Sequence, residues 1–199
     1  VEKVWSEQIS FPRAAQMLRA GVAHVPYFAS PYAPRTPTVV TVHDLIPLLL
    51  PAYRGSGLVR LYMRLVAASA RRADLILTDA QATVPEITRY LGVPRERVRA
   101  VHLAASPAYR PNTDPEALSA VRRRYELPES FLLYLGGYDQ RRNLGVLFQA
   151  LAEARRREPK VPILALAGVL PTNDTAFAPD PRRLAREAGV SEAVRFLGR

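Results

Sequence analysis

Short apolar runs alternate along this chain with segments whose apolar residues recur every three to four positions. Thr38-Val39-Val40-Thr41-Val42, Leu75-Ile76-Leu77-Thr78, Phe131-Leu132-Leu133-Tyr134-Leu135 and Ile163 to Gly168 have the length of buried strands. The β-branching of residues 38–42, without alternation, suits a parallel strand covered on both faces. Val22 to Val25, Val98 to Leu103 and Val194 to Leu197 read the same way, although Arg99 and His102 interrupt the second of these.

The intervening segments carry helix signals. Residues 7–19 predict a short helix, and Leu58, Leu61, Tyr62, Leu65 and Val66 share one face of a second that closes on Arg71-Arg72. Thr83 and Glu86 have the spacing of a capping box, with Pro85 in the first turn, Gly92 as C-cap and Pro94 beyond. Asp114-Pro115 opens another helix, with Leu118, Val121 and Tyr125 on one side. Asn143 is placed to cap a helix whose stripe is Leu144, Leu147, Phe148 and Leu151. A last helix is expected from Pro181 to Ala188, and the proline-rich stretches 26–37 and 171–181 read as loops.

Strand and helix alternate without hairpin signals, so the fold class is α/β, with right-handed βαβ units and parallel sheets. The order restarts after Ser106–Thr113, a proline-containing linker. Two Rossmann-like, doubly wound halves follow from this, residues 1–112 and 113–199. The chain starts in mid-pattern at Val1 and ends just past an apparent strand, as a piece cut at both ends would.

Two places combine a strand's carboxyl end with polar chemistry. After Leu135 come Gly136-Gly137, then Arg141-Arg142 and the helix beginning at Asn143. Helix amides, the positive dipole end and two guanidiniums would converge there on an anion, and a phosphate fits. A solvated loop with paired arginines is the other reading. His43 and Asp44 close the strand over 38–42, at the sheet edge where open α/β folds bind ligands. A strand end capped by its own polar residues is the alternative. His24 reads as structural and His102 carries no role.

Composition narrows the chemistry. No cysteine is present, which excludes disulfides and thiolate sites, and the three histidines are too scattered for a metal site. No run is long enough to span a membrane. The net charge of +10 would suit nucleic acid or phosphorylated ligands. The arginines, however, sit on helix faces and ends, as in Arg122-Arg123-Arg124 and Arg155-Arg156-Arg157, not interleaved with aromatics. No nucleic-acid partner is expected. A Rossmann dehydrogenase is disfavoured because no GxGxxG follows any strand.

HVPYFASP (24–31), TVHDLIPLLLP (41–51), ADLILTDAQATVPEITRYLGVPRERV (73–98), SPAYRP (106–111) and YLGGYDQRRNLGVLFQAL (134–151) together resemble family 4 glycosyltransferases. The resemblance covers nearly the whole chain in order. It implies a retaining, metal-independent enzyme of two-Rossmann "GT-B" architecture with both halves incomplete here, the first on the acceptor side and the second binding the donor. Such an enzyme moves a hexose, with mannose or glucose the leading possibilities, from a GDP- or UDP-sugar to a glycan or lipid-linked acceptor, as in polysaccharide biosynthesis. The nucleotide sugar is a co-substrate, and no cofactor is implied. The expected location is the cytoplasm, with peripheral association at the inner face of the plasma membrane.

By the same resemblance His43, in the TxH position, faces the transferred sugar, with Asp44 as a supporting group. The donor phosphates fall to Gly136, Gly137, Arg141 and Arg142, with Asn143 supporting. In the family pattern GRxDxxKN, Arg142 takes the Lys position and Gly137 replaces the earlier Arg. The linker motif NGVD is replaced by Leu103-Ala104-Ala105-Ser106. The family's Glu-x7-Glu donor element would fall after Arg199, so these residues alone are expected to be inactive. A non-catalytic nucleotide-binding or regulatory module of the same fold is the alternative.

Overall fold

The runs read as strands pair in parallel throughout the computed structural model, which describes residues 2–198. The chain forms two compact units that divide between Pro107 and Ala108, inside the expected linker. In the first, β1 (Ala23–Val25), β2 (Thr38–Thr41), β3 (Leu75–Thr78) and β4 (Val98–Ala100) lie side by side in chain order. In the second, β5 (Leu132–Leu135), β6 (Leu164–Ala167) and β7 (Val194–Gly198) do the same. Each sheet is thus one arm of the doubly wound pattern.

The helices follow from local sequence. α1 (Glu2–Trp5) and α2 (Phe11–Met17) are joined by a π-helical turn over Ser6–Ser10. Pro12 has no N–H to give to the carbonyl four residues earlier, which favours widening of the turn there. α3 (Ile46–Leu49) begins where the Asp44 Oδ1 accepts the Ile46 N–H at 2.9 Å. α4 (Gly57–Ala70) is capped by the Ser56 hydroxyl, and α5 (Thr83–Leu91) ends at Gly92 with a left-handed φ of 65°. α6 (Pro115–Arg124) starts on Asp114, whose carboxylate accepts the Glu116 N–H at 3.0 Å. α7 (Leu144–Arg157) and α8 (Pro181–Glu187) complete the set.

Each sheet has its own core. Val40, Val42, Ile76 and Val98 are fully buried among Ala67 and Ala70 of α4 and Val84, Ile87 and Leu91 of α5. In the second unit Phe148 and Leu151 of α7 pack on Leu164 and Leu166, with Ala185 of α8. Full burial of such side chains contributes about 1.5–3 kcal/mol each.

Several local expectations are corrected. The capping box at Thr83 and Glu86 does not form: Ala82 is the N-cap, already helical in backbone, and no side chain caps the helix. A capping hydroxyl needs an extended backbone at its own residue, and Thr83 lies inside the first turn. On α4 the buried residues are Val66, Ala67, Ser69 and Ala70, while Leu58 and Leu61 are exposed. Small side chains bring the carboxyl half of the helix against the sheet, and its amino half overhangs. The stripe on α6 is likewise unpacked, with Leu118 and Val121 exposed. The strand expected over 98–103 stops at Ala100, leaving Val101 and Leu103 exposed.

Packing of this kind sets two expectations. Phe148→Ala is expected to destabilise the second unit by about 3–5 kcal/mol, the usual cost of deleting a buried aromatic ring. Urea unfolding followed by far-UV circular dichroism measures it. Among the described residues β5 pairs only with β6, yet Leu132, Leu133 and Leu135 are 45%, 60% and 78% exposed. An apolar strand at a sheet edge invites pairing with another chain. The 199-residue chain is therefore expected to associate as its concentration rises, and Leu133→Lys with Leu135→Lys to suppress this, as read by sedimentation velocity.

Candidate functional site

Parallel strands in register deliver the residues just beyond their carboxyl ends to one edge. Val40 of β2 is opposite Ile76 of β3, so three residues further on His43 and Asp79 meet. The His43 Nδ1 lies 2.7 Å from the Asp79 Oδ2, and its Nε2 lies 3.1 Å from the carbonyl oxygen of Pro26, the residue following β1. Three successive strand ends are joined through one ring. The hydrogen bond to the Asp79 carboxylate raises the His43 pKa, partly opposed by desolvation and helped by the Pro26 carbonyl and the Asp79 and Asp44 charges.

The His43 side chain is about half exposed, at 49%, and opens onto a cavity of about 270 Å³. Lys3, Tyr27, Phe28, Asp44 and Tyr62 are among its walls. Behind Tyr62 the buried carboxylate of Glu7 accepts the phenol O–H at 2.8 and 2.9 Å from its two oxygens. Burial, then this bond, pushes the Tyr62 pKa well up, so it remains a donor. Asp44 is committed to starting α3. His24 bonds the Thr41 hydroxyl at 2.9 Å, tying β1 to β2. His102 is exposed beyond β4.

In the second unit, Gly136 and Gly137 lie where β5 ends. A Cβ on Gly168, just past β6, would stand 2.2 Å from the Gly136 carbonyl oxygen, so only glycine allows the two strand ends to come this close. The Gly136 N–H bonds the Ala167 carbonyl at 3.1 Å. The Tyr134 hydroxyl donates to the Gly137 carbonyl at 2.6 Å and the Tyr138 hydroxyl to that of Gly168 at 3.4 Å. Their rings stack with centroids 6.1 Å apart.

Gln140–Arg142 form a single 3₁₀ turn capped by Asp139. The same carboxylate accepts the Arg141 Nε at 2.9 Å. Arg142 is exposed, and among the described residues its guanidinium has no hydrogen-bond or ion-pair partner. Its charge opposes the burial that raises the Tyr134 pKa. Asn143 is the residue before α7, but as a left-handed residue with φ 48° and ψ 48° whose side chain makes no capping bond. This corrects the side-chain cap expected of it: the left-handed backbone turns the chain sharply into the helix.

The structure thus gathers Gly136, Gly137, Arg141, Arg142 and Asn143 between the end of β5 and the start of α7, and places His43 with Asp44 at the edge of the other sheet. Sequence reasoning missed Asp79 and Gly168. Asp79 directly follows the strand LILT as His43 follows the strand TVVTV, but their contact depends on which strands are neighbours. Among the described residues no group of three or more His, Cys, Asp or Glu is placed to hold a metal, and no helix is long and apolar enough to cross a membrane.

Known proteins resemble this chain in sequence and in fold. O-antigen chain mannosyltransferase B of Escherichia coli is 30% identical over 182 residues, covering 89% of this chain and 45% of the relative. The chain therefore spans about half the length of this curated relative. The crystal structure of Anabaena Alr3699/HepE in complex with UDP-glucose superposes with a TM-score of 0.62 at 20% identity, over 82% of this chain and 42% of that one. Sucrose-phosphate synthase (tll1590) from Thermosynechococcus elongatus gives 0.62 at 18% identity, over 100% of this chain and 51% of its own. These structural likenesses establish the fold, that of GT-B glycosyltransferases. The family model for Glycosyltransferase Family 4 matches residues 3–109, more than half of the chain, and the chain belongs to that family.

Proposed function

We propose that the intact protein transfers a hexosyl group from a GDP- or UDP-sugar to a glycan or lipid-linked acceptor, with retention of anomeric configuration and without a divalent metal. The observation that carries this reading is the Arg142 guanidinium, unpartnered among the described residues, between the glycine turn after β5 and the amino end of α7. Cleavage of a sugar–diphosphate bond builds negative charge on the leaving group, and a metal-independent enzyme must meet it with fixed donors. A guanidinium can bind two phosphate oxygens at once, and the helix dipole adds favourable potential. Arg141, held against Asp139, keeps its charge near the same turn. The E. coli relative is a mannosyltransferase, and the Anabaena neighbour was solved with UDP-glucose, which supports a nucleotide-sugar donor.

On this reading residues 113–199 belong to the donor side and the unit that carries His43 to the acceptor side. His43 contacts the transferred sugar, and Asp44 holds the local backbone. The enzyme works in the cytoplasm, with peripheral association at the membrane as the acceptor requires.

Arg142→Ala in the intact protein is expected to weaken UDP or GDP binding by about 1.5–3 kcal/mol, the range for hydrogen bonds to charged groups. Isothermal calorimetry tests this, and unchanged affinity would remove the phosphate role. His43→Ala is expected to lower kcat while leaving affinity for the free nucleotide largely intact. Chelation with EDTA should leave transfer unaffected. Tight nucleotide binding with no transfer to any acceptor would instead indicate a binding module.

A further inference from the structure

Both ring nitrogens of His43 face acceptors. A backbone carbonyl has no proton to give, so Nε2 must donate to Pro26 across 3.1 Å. Nδ1 faces the Asp79 carboxylate at 2.7 Å, a length typical of a charge-assisted bond. One proton is shared along that contact, and the imidazole, with an ordinary pKa near 6.5 against about 3.9 for a carboxylate, is the stronger base. Hydrogen-bond accounting therefore leaves the ring with two N–H groups and no free lone pair.

We propose that Asp79 is a positioning residue that fixes the His43 ring at the carboxyl edge of the first sheet and holds it as an imidazolium, so that the group shown to the cavity is a cation instead of a general base. The surroundings agree in sign. Asp79 reaches the ring from the end of β3 and Asp44 from its own strand, both anionic. The titratable groups on the other walls of the cavity are Lys3 of α1, Tyr27 and Tyr62 of α4, with Glu7 neutralising much of the field of Lys3 at 3.9 Å. Asp79 is the more sheltered partner of the pair, at 26% exposure against 49% for His43, and its carboxylate is anchored where the sheet ends. The raised pKa of His43 points the same way. The ion pair is complete below the ordinary histidine pKa and is lost as pH rises through the raised folded value.

The test is nuclear magnetic resonance of the histidine rings in the intact protein, with His43→Ala for assignment. At neutral pH the two ring ¹⁵N shifts of His43 should both be those of protonated nitrogens, a measurement that needs no variant at Asp79. Its titration midpoint should lie above the ordinary value and fall by about one pH unit or more in Asp79→Asn, as expected for loss of a close opposite charge. Asp44→Asn should move it less. A neutral tautomer at neutral pH, an unchanged midpoint in Asp79→Asn, or an equal effect of Asp44→Asn would overturn the proposal. One further measurement rests on the transferase reading: sugar transfer should decline as pH rises through the His43 midpoint, whereas a general base would gain activity there. Absence of transfer would count against that reading alone, and the ring titration would still decide the role of Asp79.

Discussion

Parallel pairing in register is the constraint on which both edges depend. Parallel strands all end on the same side, so residues at equal offsets beyond neighbouring strands are brought together whatever their distance in sequence. His43 and Asp79 are 36 positions apart and meet because Val40 is opposite Ile76. Gly136 and Gly168 meet because β5 pairs with β6 through Leu135 and Ala167. The fully buried Val40, Ile76 and Leu166 hold that register, since a slip by one residue would turn an apolar side chain to the opposite face. Core packing and edge chemistry are in this sense one requirement.

The two edges use that convergence differently. At the first, the ring and the carboxylate satisfy each other, and the cavity beside them is lined with aromatic residues, among them a tyrosine held protonated by burial and by its bond to Glu7. At the second, glycines remove side chains so that backbone can approach backbone, and two tyrosine hydroxyls take up loop carbonyls at Gly137 and Gly168. A loop pinned in this way loses less freedom on binding a ligand, which favours affinity through preorganisation. Arg142 is exposed on the turn that follows, as are Gln140 and Arg141.

How much of this could be read from the sequence depended on range. Features set within a few residues were legible: the strand runs, the Asp114 cap, the left-handed Gly92, the helix behind Asn143, although the burial expected of the run over 131–135 fails, since β5 leaves Leu132, Leu133 and Leu135 exposed. Thr83 misled because the cap motif is defined by spacing, whereas capping depends on the backbone of the preceding residues, and Ala82 is already helical. The stripe of α4 misled because its period is satisfied equally by Leu58 and Leu61, which are exposed, and by Val66 and Ala70, which are buried. Asp79 was invisible for a different reason. Its role exists only once β2 and β3 are neighbours in a defined register, and one sequence does not carry that pairing.

The strong positive charge finds its explanation in the same geometry. Arginines here serve repeatedly as caps for backbone carbonyls at the ends of elements. Arg71 donates to Leu91 at the end of α5, Arg97 to Arg71 and Ala73 beyond α4, Arg155 to Val161 and Arg195 to Glu126. Others are neutralised locally, as Arg183 is by Asp174 and Glu187, and Arg156 and Arg157 by Glu153. Each of these guanidiniums answers a need internal to the fold, because the last carbonyls of a helix have no intrahelical partner. These particular arginines are placed where carbonyls and carboxylates need them. Arg142 differs from them in having neither. It stands on a pinned turn, between a strand end and a helix start, with its charge unmatched by any side chain of the described chain. Arg13, Arg54 and Arg64 are likewise exposed and without a side-chain partner among the described residues, so what sets Arg142 apart is its position at a strand-to-helix turn and not its lack of a partner.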